Sequence, residues 1–423
     1  MERVVTDRGR HLVLADRAFA TGAGLPGRLL GGSFRHVLDR IDAGLARGAI
    51  HATLPDGRGR LLGGRAPGPE AVVRLHSWNS LVRLITSGSV GWYKAWENGE
   101  WSSPDPVPLF ALFMLNGETL GDTARAKGLF RAVNRVAHRL RGNDRRRARD
   151  NIAHHYDLGN DFYRAWLDPS MTYSSAVFAD PAGDEPLERA QARKIRLLLD
   201  RLDLRPGDRL LEIGCGWGSL AEIAARDYGV AVVGITLSAE QQAFAKARMA
   251  AAALGAKVDI RLQDYREVDD RFDAVASVEM AEAVGEDYWP AYLAAIARAL
   301  KPGGRAALQL ISIREPLFER YAASADFIQT YIFPGGMLVS EARFAALAKQ
   351  AGLLWQDRQG YGLHYAETLK RWRERFDAAV AEARLPAGFD ARFHRLWRYY
   401  LMYCEGGFRG GGIDVAQVTL VKE

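Results

Sequence analysis

A strand that gives way to glycine at every second position constrains this chain more than any other feature. Leu210-Leu211-Glu212-Ile213 reads as a buried strand, Gly214-Cys215-Gly216-Trp217-Gly218 follows at once, and a helical pattern opens at Ser219. Glycines at the C-terminal end of a strand let the backbone turn tightly and approach a ligand closely, as in nucleotide sites of open α/β sheets. Beyond Leu204 strands and helices alternate, with strands over 209–213, 231–235, 259–262, 274–278 and 305–310 and helices from Ser219, Ala239 and Tyr288. That alternation predicts an α/β domain with a doubly wound, mostly parallel sheet covered by helices.

The spacing narrows the ligand. G-x-G-x-G is not the G-x-G-x-x-G of nicotinamide and flavin sites, and no Lys-Ser/Thr follows, which excludes a phosphate-binding P-loop. Adenosylmethionine and a dinucleotide both fit a turn of this kind. The second strand ends at Thr236, with Gln241 close behind, where many such sites place groups for ribose hydroxyls. The third leads to Gln263-Asp264-Tyr265, which offers a carboxamide or carboxylate for an adenine amino group and a ring to stack on it. The fourth runs into Ser277-Val278-Glu279-Met280-Ala281-Glu282, and Glu282 falls just past the strand end, the ligand side of an open sheet.

Charge is uneven. The 423 residues carry a net charge of +6, but ten Lys/Arg and one acid lie between Arg125 and Arg149, so that window holds +9 and the remainder −3. Within it Leu129, Val133, Val136 and Leu140 share a helical face over 128–140, a basic amphipathic pattern suited to an anionic membrane surface. No recognisable nucleic-acid-binding module accompanies it, so nucleic acid is not an expected partner. The longest apolar run, residues 107–115 (VPLFALFML), is too short for the roughly 20 residues of a membrane span. The charged start, MERVVTDRGR, does not read as a secretory signal. Cys215 and Cys404 make no disulfide framework, and neither they nor His154, His155 and His364 have metal-ligand spacing, so no metal is expected. The resulting expectation is a cytoplasmic protein, peripheral on the inner face of the membrane.

Three regions follow. Residues 1–120 read as a small mixed domain: a helix over 34–49, short strands at 49–54, 60–62 and 71–75, a helix over 78–86, an aromatic and glycine-rich stretch over 88–101, and an apolar helix over 106–115. Residues 121–150 form a basic linker or helix, and 151–423 the larger domain.

Residues from 151 onward resemble the cyclopropane-fatty-acyl-phospholipid synthases and mycolic-acid cyclopropane synthases. The resemblance rests on HHYDLGNDFYRAWLDPSMTYSSAVF (154–178), LLEIGCGWGSLA (210–221), VVGITLSAEQ (232–241), LQDYRE (262–267), SVEMAEAVGEDYW (277–289), YIFPGGMLVS (331–340), HYAETLKRWRERF (364–376) and YLMYCEGGFRGGGIDVAQV (400–418). The N-terminal region resembles the small lipid-binding α+β domain of the phospholipid-acting members. The resemblance implies a seven-stranded adenosylmethionine-dependent methyltransferase domain, with Tyr173, Ser174, Gly214, Gly216, Gly218, Thr236, Gln241, Gln263, Asp264 and Tyr265 around the cofactor. It implies methyl transfer to the cis double bond of a phospholipid acyl chain through a carbocation. A bicarbonate ion held by Glu282, Tyr365, the main chain of Ile311 and the positions of Ser175 and Gln309 then removes a proton to close a cyclopropane ring. Tyr173, Tyr365, Phe162 and Trp166 could stabilise the cation through their ring faces. A homodimer is possible.

Three positions depart from the family pattern: Ser175 stands for cysteine, Gln309 for histidine, and Ala283 follows Glu282 where the family has histidine. The expectation is cyclopropanation. The alternative is a methyl- or methylene-branched chain because the bicarbonate site is altered. A small-molecule or nucleic-acid methyltransferase is more distant.

Overall fold

The computed structural model describes residues 8–15, 33–121, 158–181, 183–323 and 325–423. The basic segment and His154 and His155 lie outside them. The chain forms two compact units, neither continuous in sequence: 1–142 with 316–334 and 387–413, and 143–315 with 335–386 and 414–423. Two segments from the region beyond 151 therefore pack with the N-terminal unit.

In the first unit a sheet of order β2-β1-β3-β4 joins β1 (Ala49–Thr53), β2 (Gly59–Gly63), β3 (Glu70–Leu75) and β4 (Trp101–Ser102). β3 alternates exposed and buried residues strictly, so Ala71, Val73 and Leu75 face the core. The helix expected to stop at Thr86 instead runs from Asn79 to Glu97, and the stretch over 88–101 is mostly helical. Gly88, at φ 58° and ψ −136°, kinks the helix without ending it, because Val90, Tyr93 and Ala95 still bury the core face beyond the kink. Trp92 and Trp101 stack at 4.4 Å and are both buried.

The second unit holds a seven-stranded sheet of order β10-β11-β9-β8-β5-β6-β7. Its strands are β5 (Arg209–Ile213), β6 (Ala231–Thr236), β7 (Val258–Leu262), β8 (Phe272–Val278), β9 (Leu300–Ile313), β10 (Leu353–Gly360) and β11 (Ile413–Lys422). The β7-β6-β5-β8-β9 pairs are parallel and β10 runs antiparallel to β11. Leu210–Ile213 and Ala274–Ser277 are wholly buried, as strands covered on both faces must be. Leu198, Leu199, Leu220, Ala224, Val232 and Ile260 fill one helix–sheet layer, each worth about 1.5–3 kcal/mol of burial for the larger side chains. β9 starts at Leu300 rather than after the Lys301–Gly304 turn, because the register with β8 shifts between Phe272 and Ala274 and absorbs the turn residues into the ladder. The crossover order puts the C-terminal ends of β5, β6, β7, β8 and β9 on one side, which carries the candidate site.

Candidate active site

The glycine turn leaves β5 with left-handed φ angles at Gly214 (81°) and Gly216 (51°). The N–H groups of Gly214 and Cys215 both donate to the Ile235 carbonyl at 3.0 Å, which ties the turn to β6. A Cβ on Gly214 would meet Met280 Sδ at 2.5 Å, whereas one on Gly216 would enter open space. The turn thus presents bare backbone to a void at the head of the helix Ser219–Asp227, a cradle that fits the adenosyl ligand. Gly214→Ala is expected to weaken adenosylmethionine binding about tenfold, since the methyl group must both hold a strained φ and displace Met280. Titration calorimetry checks this, and an unchanged affinity would remove the turn from the site. Cys215 is a small packed residue.

The other cofactor candidates have their polar atoms largely engaged. Thr236 Oγ donates to Gln241 Oε1 at 2.8 Å and accepts from the Ser238 N–H, so this pair also shapes the start of the next helix. Gln263 Nε2 donates to the Glu267 carbonyl. Asp264 is buried and spends both carboxylate oxygens on Arg266, at 2.8 and 2.6 Å. The Tyr265 ring meets Tyr292 edge-on at 5.4 Å, and burial pushes its phenol up to about 12. Tyr173 sits among Tyr163, Trp166 and Trp372 at 5.2–5.6 Å between ring centroids. Phe162 and Trp166 are fully buried in the same aromatic wall. Ser174 Oγ accepts from Lys194 Nζ at 2.7 Å. That lysine is enclosed on the helix Leu187–Leu199, and burial lowers it to about 8 against the pull of Glu279, Asp168 and Glu212.

The residues assigned to an anion site converge, but on a side chain that sequence reasoning passed over. Glu279, one residue beyond β8, accepts hydrogen bonds through Oε1 from the Ser175 N–H and from Gln309 Nε2, both at 2.8 Å. Its Oε2 accepts from the Tyr365 hydroxyl at 2.7 Å. Three groups expected to hold an ion therefore bind a carboxylate of the chain. Glu279 also has φ 52°, a left-handed conformation costing a non-glycine residue about 1–2 kcal/mol. Its own N–H donates to the Gln309 carbonyl at 2.7 Å, so β9 grips it by main chain and side chain together. The only available signal was its position, a second acid three residues before Glu282 at a strand end.

Glu282 lies in the short helix Ala281–Val284, where Oε1 accepts from the Ile311 N–H and the main-chain carbonyl accepts from Met337 N. Its Oε2 is buried with no hydrogen-bond partner among the described residues. Burial raises both carboxyls. Three donors and Lys194 oppose the rise at Glu279, whereas Glu282 has the Ile311 N–H in its favour and Glu279 against it, and is pushed up to about 8. The donors around Glu279 favour its ionised form, whereas Glu282 is held toward its neutral form, an arrangement that sets a candidate base beside an acid. Among the described residues no cluster of metal-ligating side chains occurs, and no helix is long and apolar enough to cross a membrane.

Comparison with known proteins places the chain among relatives of known family. The mycolic acid cyclopropane synthetase family matches residues 143–418. The chain is 41% identical over 368 residues to the tuberculostearic acid methyltransferase UfaA1 of Mycobacterium tuberculosis, covering 82% of this chain and 83% of that one. It is 36% identical over 373 residues to the cyclopropane-fatty-acyl-phospholipid synthase of Escherichia coli K12, covering 86% and 90%. Among solved structures, the mycolic acid cyclopropane synthase CmaA1 complexed with SAH and CTAB superposes with a TM-score of 0.60 at 33% identity, over 65% of this chain and 98% of that one. The sheet and its glycine cradle are those of an adenosylmethionine-dependent methyltransferase. More narrowly, the chain belongs to the mycolic acid cyclopropane synthetase family and is a C-methyltransferase of the cyclopropane synthase type.

Proposed function

We propose that the protein methylates the cis double bond of phospholipid acyl chains and that Glu279, rather than a bound bicarbonate ion, takes the proton that completes the reaction. The observation that carries this reading is the seating of the Glu279 carboxylate on Ser175 N, Gln309 and Tyr365. Adenosylmethionine, when bound, supplies an electrophilic methyl group. Gly214, Gly216 and Gly218 would hold it by main chain, with Tyr173, Ser174, Thr236, Gln241, Gln263, Asp264 and Tyr265 around it. An alkene has no proton to lose before it gains the methyl, so alignment governs the first step and deprotonation the last. The aromatic wall of Tyr173, Trp166 and Trp372 excludes water and offers ring faces to a cation. Residues 1–120 engage the lipid and the basic segment of 121–150 holds the enzyme at an anionic bilayer, on the cytoplasmic face.

The product is a methylene-branched chain. After a hydride shift puts the cation on the methylated carbon, Glu279 takes a proton from the new methyl group and a C=CH2 methylene branch remains. Replacement of the ion seat by a fixed carboxylate supports this outcome, as does greater identity to a relative named as a methyltransferase than to one named as a cyclopropane synthase. Ring closure is the second reading, favoured by the retained contact between Glu282 and the Ile311 N–H. Trideuteromethyl adenosylmethionine and vesicles of cis-monounsaturated phospholipid decide among them. Two deuteriums retained with the carbon signals of a 1,1-disubstituted methylene alkene by NMR are expected. Two deuteriums with ring signals establish cyclopropanation, and three retained deuteriums mean that the proton leaves the chain, which overturns proton transfer from the methyl to Glu279.

A further inference from the structure

Gln309 can hold Glu279 only if its amide nitrogen, not its oxygen, faces the carboxylate. What sets that orientation lies one layer deeper, on the last strand. Gln417, fully buried on β11, donates through Nε2 to the Lys194 carbonyl at 3.0 Å and to Gln309 Oε1 at 3.1 Å. A main-chain carbonyl only accepts, so Lys194 obliges Gln417 to point its nitrogen inward. That nitrogen in turn claims Gln309 Oε1. Gln309 Nε2 is left to donate to the Ser175 carbonyl at 3.3 Å and to Glu279 Oε1 at 2.8 Å. Both glutamines are buried, where an amide turned the wrong way would oppose oxygen to oxygen at full cost.

We infer that Gln417 is a positioning residue for the reaction, acting through Gln309 to present an amide donor to Glu279. The inference rests on Glu279 as the base and deepens that reading. Glu279 must be ionised to accept a proton, so a weakened donor raises its pKa and moves the acid limb of the pH–rate profile to higher pH.

The test compares Gln417→Met and the isosteric Gln417→Glu, alone and combined with Gln309→Leu, using the full chain with vesicles of cis-monounsaturated phospholipid. Gln417→Met is expected to lower kcat about tenfold and raise the acid limb by about one pH unit, with KM for adenosylmethionine unchanged. In the Gln309→Leu background it should add no further loss or shift, because the link it acts through is gone. Wild-type profiles for Gln417→Met, or an equal loss in both backgrounds, overturn the inference. Where Gln417→Met does not fold, Gln417→Glu carries the test on the same criteria: it must shift the limb further in the wild-type background than in the Gln309→Leu background. If Glu279→Gln remains active, the base reading itself has failed; if it is inactive while the Gln417 variants behave as wild type, only the positioning role has.

Discussion

Glu279→Gln is expected to lower kcat about 10³-fold, within the 10²–10⁴ range of general acid–base catalysis, while adenosylmethionine affinity stays within about twofold. Glutamine keeps the volume and can still accept through its oxygen from Ser175 N and Gln309, so the local structure has little reason to change. It cannot accept the proton. The acid limb of the pH–rate profile belongs to the same group: a base with a raised pKa loses activity as pH falls through that pKa, and the limb should vanish with the carboxylate. Rapid-quench turnover with vesicle substrate, beside calorimetric cofactor binding, separates the two effects. Retention of more than about a tenth of wild-type kcat would remove Glu279 from proton transfer.

Glu279→Gly should behave differently, and the difference identifies what the pocket was built around. Glycine is at ease at φ 52°, so the variant is relieved of about 1 kcal/mol of backbone strain. It also empties the space bounded by the Ser175 N–H, Gln309 Nε2 and the Tyr365 hydroxyl, leaving three buried donors to be satisfied. Added bicarbonate should fill that seat and raise the rate at least about tenfold over the unsupplemented variant, short of full recovery because a tethered base has the higher effective concentration. Wild-type rates should be the same in bicarbonate-depleted buffer. A wild-type enzyme that stops when bicarbonate is removed would restore the ion as the base and sink the assignment of Glu279.

Neighbouring residues alone specified much of this molecule. The alternation of apolar runs with helical patterns dictated the mostly parallel sheet, and the glycine spacing after Leu210–Ile213 dictated a bare-backbone turn, because both depend on contacts within a few positions. The same local logic put Glu282 at the ligand side of β8. It misjudged the helix Asn79–Glu97, where a glycine that usually interrupts a helix only kinks one whose core face continues to be buried. It also could not see residues 316–334 and 387–413 packing with the N-terminal unit.

Glu279 was beyond its reach for a physical reason. The donors that seat its carboxylate come from Ser175, Gln309 and Tyr365, which are 104, 30 and 86 positions away in the chain. Its backbone stands in a conformation that its own residue type disfavours and that the main-chain bond to β9 holds in place. Local propensity decided which segments became strands and where the cofactor turn fell. Only the packing of β8, β9, β11 and the helix Gly362–Ala381 around one enclosed point decided which of two nearby acids would gather three donors, because partners from distant parts of the chain, not residue identity, set how a buried carboxyl is held.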